Sequence, residues 1–362
     1  MEVNDMKFRK QISLILALVM ILALAACGGG AASTPAPSAG GASTPTPDAN
    51  KETYTITVAT AYYDGHYMVQ GYEAFKEYVE KESNGRITVD IFANGSLVTG
   101  DSDTLEYVSS GSYTMGNSDY TMIGSFIGDN RWESTSIPMY YGNDLDTVYD
   151  VLDNSEAWQE LYEAVAEKGN IHILGSANGG IAVIGSDVPL NSMSDFAGKK
   201  YRTATSDPYL KPVEAWGASA IAMPFSEIYT SVQNKTINGT FTSMSAIYTN
   251  GLTDVVKNII RVDGFNLLFG FMMNADFYES LDDEARAIVD EGGRICTQVA
   301  RDAEKAFSAN LDKGLTDVGV TQIVPDAAWK AELEAAVADY IEERRAALDA
   351  DWLAKLDSAL GK

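Results

Sequence analysis

Past residue 53 the chain moves between two hydrophobic rhythms. Tyr54-Thr-Ile-Thr-Val-Ala-Thr60 alternates apolar and polar positions, the pattern of a half-buried strand. A loop, Ala61-Tyr-Tyr-Asp-Gly-His-Tyr67, leads to apolar positions at Tyr72, Phe75 and Val79, which are spaced as on a helix face. Gly85–Phe92 reads as a second strand. Ala93–Leu97 and a helix through Leu105 and Val108 precede a third strand over Gly111–Gly116, with Asn117, Ser118 and Asp119 just past its end. This β-α-β-α-β cadence predicts an α/β domain.

Asp144–Lys168 predicts a helix, and Asn170–Gly175 a strand on which His172 is a face residue. Gly179–Gly185 stays extended and is expected to cross into a second domain as a hinge strand. Ser194-Asp195-Phe196 opens a short helix before the extended Lys199–Arg202. Asp207-Pro208 starts another helix, with Ser206 or Asp207 as its cap. Ala220–Pro224 is extended, Phe225-Ser226-Glu227 opens a further helix, and Asn238–Ser243 reads as a strand. A helix is expected over Gly251–Ile260, then an apolar run, Phe265–Asn274, crossing back. From Ser280 the pattern is almost wholly helical, and 327–360 reads as amphipathic surface helices. The 309 residues from Tyr54 to Lys362 exceed a typical single core and predict two domains. Their expected extents are 54–178 with 267–305 for the first and 179–266 for the second, with 306–362 as helices packing across both.

The first 26 residues read as an export signal. Lys7, Arg9 and Lys10 precede an apolar core, Ile12–Leu24, too short for a mature membrane span. The core ends in Leu24-Ala-Ala-Cys27, which resembles a lipobox and implies acylation of Cys27; an ordinary cleaved signal with an incidental cysteine is the alternative. Met1 and Met6 are both available as the start. Residues 28–53, rich in Gly, Ala, Ser, Thr and Pro, carry no apolar pattern and are expected to be a disordered tether.

Charge narrows the partners. Removing residues 1–26 takes away Lys7, Arg9, Lys10, Glu2 and Asp5, leaving 23 basic against 49 acidic residues and a net charge of −26. That argues against nucleic acid and against direct binding to anionic lipid. An anion would need a local positive field, for which Lys199, Lys200, Arg202 and Lys211 are the cluster in sequence. Chemistry is sparse. Two histidines and one cysteine beyond Cys27, Cys296, leave no Cys/His metal cluster and no disulfide. No nucleophile elbow or phosphate loop appears.

Arg202 lies where an extended segment stops, five residues before a helix start. A guanidinium beside free N–H groups suits a carboxylate; pairing with Asp207 or Glu214 is the plainer reading. The order Lys200-Tyr-Arg-Thr203, Glu214–Ala218, Met223-Pro-Phe-Ser-Glu-Ile-Tyr-Thr-Ser-Val-Gln233 and Asn238-Gly-Thr-Phe-Thr-Ser243 resembles the solute-binding proteins of TRAP transporters, the DctP-type family. The resemblance implies a two-domain, periplasmic-binding-protein-like α/β fold with hinge strands and a cleft between the domains. It implies a monomeric, lipid-anchored extracytoplasmic receptor, not an enzyme and without a cofactor, handing a small organic acid to small and large membrane subunits. An ATP-driven importer or a sensor kinase is the alternative partner, and a lipoprotein hydrolase the enzyme alternative.

Carried residue by residue, the resemblance places Arg202 on the ligand carboxylate and Phe225 on its apolar face. It adds His66, Tyr67, Asn117 and Asp119 as contacts, with helix capping the alternative for His66 and Asp119. Thr242 stands where the family's D-G-Q-E-N segment has asparagine. Ala182 stands where a second arginine is common, which turns the expectation toward a monocarboxylate with an apolar body suited to Phe225 and Phe241.

Overall fold

The computed structural model describes residues 51–362 apart from 143, 205–206 and 263–264. The export segment, Cys27, most of the tether and Ser206 lie outside the described residues. In chain order the strands are β1 (Tyr54–Ala59), β2 (Ile87–Phe92), β3 (Met115–Asp119), β4 (Ile171–Ser186), β5 (Lys200–Thr203), β6 (Ser219–Ala222), β7 (Gly239–Ser243), β8 (Asn258–Ile260), β9 (Asn266–Asn274) and β10 (Thr321–Ile323). The helices are α1 (Tyr67–Glu82), α2 (Asp101–Ser109), α3 (Tyr120–Ile127), α4 (Leu145–Asn154), α5 (Glu156–Gly169), α6 (Asp207–Ala215), α7 (Ile228–Gln233), α8 (Met244–Thr249), α9 (Ala275–Ser280), α10 (Asp283–Asp317), α11 (Ala327–Ala346) and α12 (Ala350–Ala359).

Two lobes share one strand. The first-lobe sheet runs β2-β1-β3-β9-β4, with β1–β3 mutually parallel and β9 antiparallel to both neighbours. One face is covered by α1 and the first half of α10, through Tyr72, Phe75, Val79, Val289 and Cys296. The other is covered by α2–α5 and by α12, whose Trp352 and Leu356 join Trp132 and Trp158. In the second lobe the far half of β4 pairs with β7 and β8, extended by β5 and β6 on one side and β10 on the other. Its faces carry α6 with α11, and α7, α8 with the end of α10.

The 16-residue β4 is thus a single crossing strand where the sequence suggested two extended pieces. Its register slips between Asn178 and Ile181, at Gly179-Gly180. Gly180 has φ +116°, and a Cβ on Gly179 would lie 2.4 Å from the Phe269 ring, so both positions require glycine. The chain returns between β8 and β9. A third link is α10, 35 residues and about 52 Å long at 1.5 Å per residue, whose Val289 and Cys296 lie in one lobe's core and Leu311 and Leu315 in the other's.

Some local expectations change. Asn117–Asp119 lie inside β3 and not beyond it, because Asn117 and Asp119 pair with Phe271 and Phe269 of β9. Gly251–Ile260 is a single 3-10 turn, Leu252–Asp254, followed by β8, since Asn258–Ile260 finds partners in both β4 and β10. The helical stretch 144–168 is broken at Ser155, whose hydroxyl caps α5 by accepting from Trp158 N at 3.3 Å. His172 stacks on Tyr278, with centroids 3.7 Å apart.

Candidate functional site

The C-terminal ends of the parallel strands in both lobes open toward one cleft, the usual place for ligand loops on an open α/β sheet. From the second lobe come Arg202 at the end of β5, the Met223–Phe225 segment after β6, and Tyr209 in the first turn of α6. Arg202 is 8% exposed. Its Nε donates to the Met223 carbonyl at 2.9 Å, and its guanidinium carbon lies 5.5 Å from the Phe225 ring centre. These contacts fix the fork, but no carboxylate pairs with it among the described residues. Glu214 is engaged by Lys211 at 3.3 Å, so the plainer reading, a surface ion pair, does not hold. Burial without a counter-ion lowers the Arg202 pKa. The contrast is Arg86, 4% exposed, which meets Asp282 at 2.7 Å and Glu284 at 2.9 Å. Lys199, Lys200 and Lys211 do not share the burial of Arg202.

The same register that pairs Arg202 with Thr240 puts Thr242 on the Arg202 face of the sheet, half-buried. Phe241 points the other way, 1% exposed, against Trp216 and Phe265, and belongs to the lobe's core. Ala182 is fully buried in that same core, its N–H donating to the Phe265 carbonyl at 3.0 Å.

In the first lobe, Asp119 caps α3: its Oδ1 accepts from Thr121 N at 2.7 Å and from the Thr121 hydroxyl. His66 caps α1, Nδ1 accepting from Met68 N at 3.2 Å, and stacks on Tyr62 with centroids 4.1 Å apart. Burial drives its pKa down to about 4, so the imidazole is neutral at pH 7. Tyr67, 4% exposed, is packed between His66 and Phe307. Asn117 is 2% exposed, and its Oδ1 already accepts from Thr60 Oγ1 at 2.8 Å and Tyr72 OH at 3.2 Å, a framework role. Of the residues singled out from the sequence, the fold gathers Arg202, Phe225, Thr242 and Asp119 toward the cleft. It builds Asn117 and Tyr67 into the first-lobe core.

Sequence reasoning missed three residues. Asp101, at the start of α2, follows the loop after β2. It is mostly covered and accepts a hydrogen bond from the Asp119 backbone, and burial pushes its pKa up to about 7. Tyr209 adjoins both sides: the charges of Asp119 and Asp101 add to the burial that raises its pKa, while Arg202 opposes them. Tyr62, deep in the same space, feels Asp101 and Asp119 too. The signal for Tyr209 was its place one turn into the helix after Arg202; Asp101 was indistinguishable from the other acids. Asp119, Thr135, Tyr209, Phe265 and Asn266 line a small cavity where the lobes meet.

Two lobes joined by crossing strands, with a fixed, buried and unpaired cation beside the cleft, have the architecture of a solute-binding protein. Residues 58–346 match the model for bacterial extracellular solute-binding protein, family 7 (DctP), and the chain belongs to that family. It is 29% identical over 251 residues to the ectoine-binding periplasmic protein TeaA of Halomonas elongata, covering 69% of this chain and 70% of that one. It is 27% identical over 280 residues to the C4-dicarboxylate-binding periplasmic protein DctP of Rhodobacter capsulatus, covering 76% and 82%. The fold matches a TRAP periplasmic solute-binding protein from Ochrobactrum anthropi with a TM-score of 0.79 at 23% identity, over 86% of this chain and 95% of that one. A second match, from a Sulfitobacter species with bound β-D-galacturonate, has a TM-score of 0.74 at 22% identity, covering 85% and 100%. The protein is an extracytoplasmic receptor of the TRAP type, a family that works with membrane subunits. Among the described residues no helix is long and apolar enough to cross a membrane.

Proposed function

We propose that this receptor captures a small organic acid carrying one carboxylate through an ion pair with Arg202, and delivers it to the membrane subunits of a TRAP importer. The carrying observation is the contrast between two buried arginines: Arg86 is met by two acids, whereas Arg202 is met by none. A buried cation held in place by a carbonyl and a ring, yet left without a counter-ion, is matched to an anion that arrives with the ligand. Phe225 covers one side of the fork, and Thr242, on the same sheet face, supplies a hydroxyl. His66 stacks on Tyr62 in the loop after β1. One unpaired arginine suits one carboxylate. The relatives' printed ligands, ectoine and C4-dicarboxylates, and the uronate of a structural neighbour all carry at least one. The chain acts as a monomer, held at the outer membrane face by lipid on Cys27, with 28–53 as tether.

The test is a thermal-shift screen against organic acids, sugar acids and ectoine, with Arg202→Ala alongside. Ligand at a hundred times its Kd stabilises by about 2.7 kcal/mol. A shift for an acid class that disappears in the variant supports the reading. A wild type that answers no acid, or a variant that answers equally, removes it.

A further inference from the structure

One side chain of the first lobe packs on the wrong side of the boundary. After the 3-10 turn Asn130–Ser136, Ile137, Tyr140 and Tyr141 join the first-lobe core with Trp132 and Trp158. Met139, between them, packs instead against the second-lobe cluster that holds Phe241, Phe265, Trp329 and Leu333. Its backbone is unusual too. Tyr140 N donates to the Ile137 carbonyl at 3.2 Å, closing a turn with Pro138 and Met139 at its centre. Met139 has φ +61°, so the turn is of type II, whose third position ordinarily takes glycine or asparagine. The other non-glycine residues at positive φ among the described residues are Asn84, Asn94, Asn170 and the exposed Lys235. A partly buried methionine in this conformation carries strain, which the seat in the second lobe offsets. Two further observations bear on the turn. Its far end is pinned to the return crossing, where Asn266 Nδ2 donates to the Gly142 carbonyl at 2.8 Å. Beside it, Pro138, Met139, Tyr140 and Ile341 of α11 line an open recess of about 360 Å³, room for the side chain to move. The lobes lie together here: Thr135, Ser136 and Ile137 face Pro208 and Tyr209 across a cavity of about 20 Å³, enough for one water.

Turning over the Pro138–Met139 peptide converts a type II turn to type I and brings φ at the third position to about −90°. Proline at the second position suits both types, so the Ile137–Tyr140 hydrogen bond survives the change. The Met139 side chain does not keep its direction. We propose that this turn is a two-position latch of the lobes. With the lobes together it is type II, and Met139 sits in the second-lobe core. With the lobes apart the seat is gone, nothing offsets the strain, and the turn relaxes to type I with Met139 withdrawn into the recess. The inference rests on the receptor reading above, because the ligand is what brings the lobes together. Met139 then contributes to ligand affinity without touching the ligand.

The experiment compares Met139→Ala, Met139→Gly and Met139→Leu in the purified full-length protein. Urea melts without ligand come first. A withdrawn Met139 packs on nothing, so Met139→Ala should keep the wild-type midpoint. Met139→Gly should fall below it by about two- to fivefold in the folding constant, since glycine only loosens the unfolded chain when φ is negative. Calorimetric titration follows, with D-galacturonate, ectoine and succinate as probes, after the ligands of the relatives. The acid that the wild type binds should bind Met139→Ala about tenfold more weakly, and Met139→Leu, which can refill the seat, should recover most of the loss. Three results overturn the latch: Met139→Ala less stable than wild type without ligand, Met139→Gly more stable than Met139→Ala, or affinity unchanged in Met139→Ala. The first two mean that the turn stays seated whether or not the lobes meet. A wild type that binds none of the three acids counts against the receptor reading instead, and the melts still decide the turn.

Discussion

The guanidinium carbon of Arg202 lies 5.5 Å from the centre of the Phe225 ring, and no acid of the described chain closes the pair. Its position is set by the Met223 carbonyl, at 2.9 Å from Nε. The residue is thus held in place without a counter-charge from the described residues.

Stability and affinity should therefore respond oppositely at this position. Arg202→Met is expected to leave ligand-free stability unchanged or raise it by about 1 kcal/mol, because an uncompensated buried charge disappears. The same change should weaken ligand binding by roughly 2–5 kcal/mol. Arg86→Met should instead lower stability by about 1–3 kcal/mol, moderated because Asp282 and Glu284 are half exposed and regain water. Denaturant melts with and without ligand check all three.

Asp101 carries a pH signature. Its folded pKa, about 7, lies above its ordinary 3.8, so the folded state holds a proton that the unfolded chain has released between those values. Its contribution to stability is intact below about pH 4 and is lost as pH rises through 7. Asp101→Asn should then melt with the wild type at pH 4 and above it at pH 8, without ligand. The gain is on the order of 1 kcal/mol once partial exposure is allowed for.

His66 runs the other way. Its folded pKa, about 4, lies below the ordinary 6.5, so the unfolded chain takes up the proton first and stability falls as pH drops from 6.5 to 4. His66→Asn keeps a cap-forming side chain without that titration. The difference in melting temperature between wild type and variant should change across pH 4 to 6.5 and be constant above 7.

Gly239 should tolerate no side chain. A Cβ there would sit 1.9 Å from the Gly185 carbonyl oxygen, backbone against backbone between β7 and β4. Gly239→Ala is expected to cost more than 3 kcal/mol or abolish soluble expression. Gly198→Ala, with open space around its Cβ and only its φ of +74° to strain it, should cost about 1 kcal/mol. Urea midpoints of the pair make the comparison.

Local periodicity made most of the elements legible. Tyr72, Phe75 and Val79 repeat on the buried face of α1, and Tyr54, Ile56 and Val58 alternate into the core. What stayed hidden depends on partners distant in sequence. β8 is three residues that are extended only because Ser186 and Thr321 lie on either side of Asn258. The burial of Asn117 was likewise hidden, because its oxygen meets Thr60 and Tyr72 only in the folded sheet. Arg202 could be read early because its motif is local. Asp101 and Tyr209 matter only because two lobes bring residues a hundred positions apart to one place.

The rod formed by α10 has a consequence for how such chains can diverge. Inserting one residue between Ala303 and Phe307 would turn everything downstream by about 100° and advance it 1.5 Å. Leu311 and Leu315 would leave the second-lobe core while Val289 and Cys296 stayed seated in the first. No loop lies within the 35 residues to absorb the error. Insertions and deletions are therefore barred from the middle of this helix. Length variation between descendants should collect instead in the turns around Asn94, Gly142 and Gly319, so the helix serves as the fixed gauge against which homologous chains can be aligned.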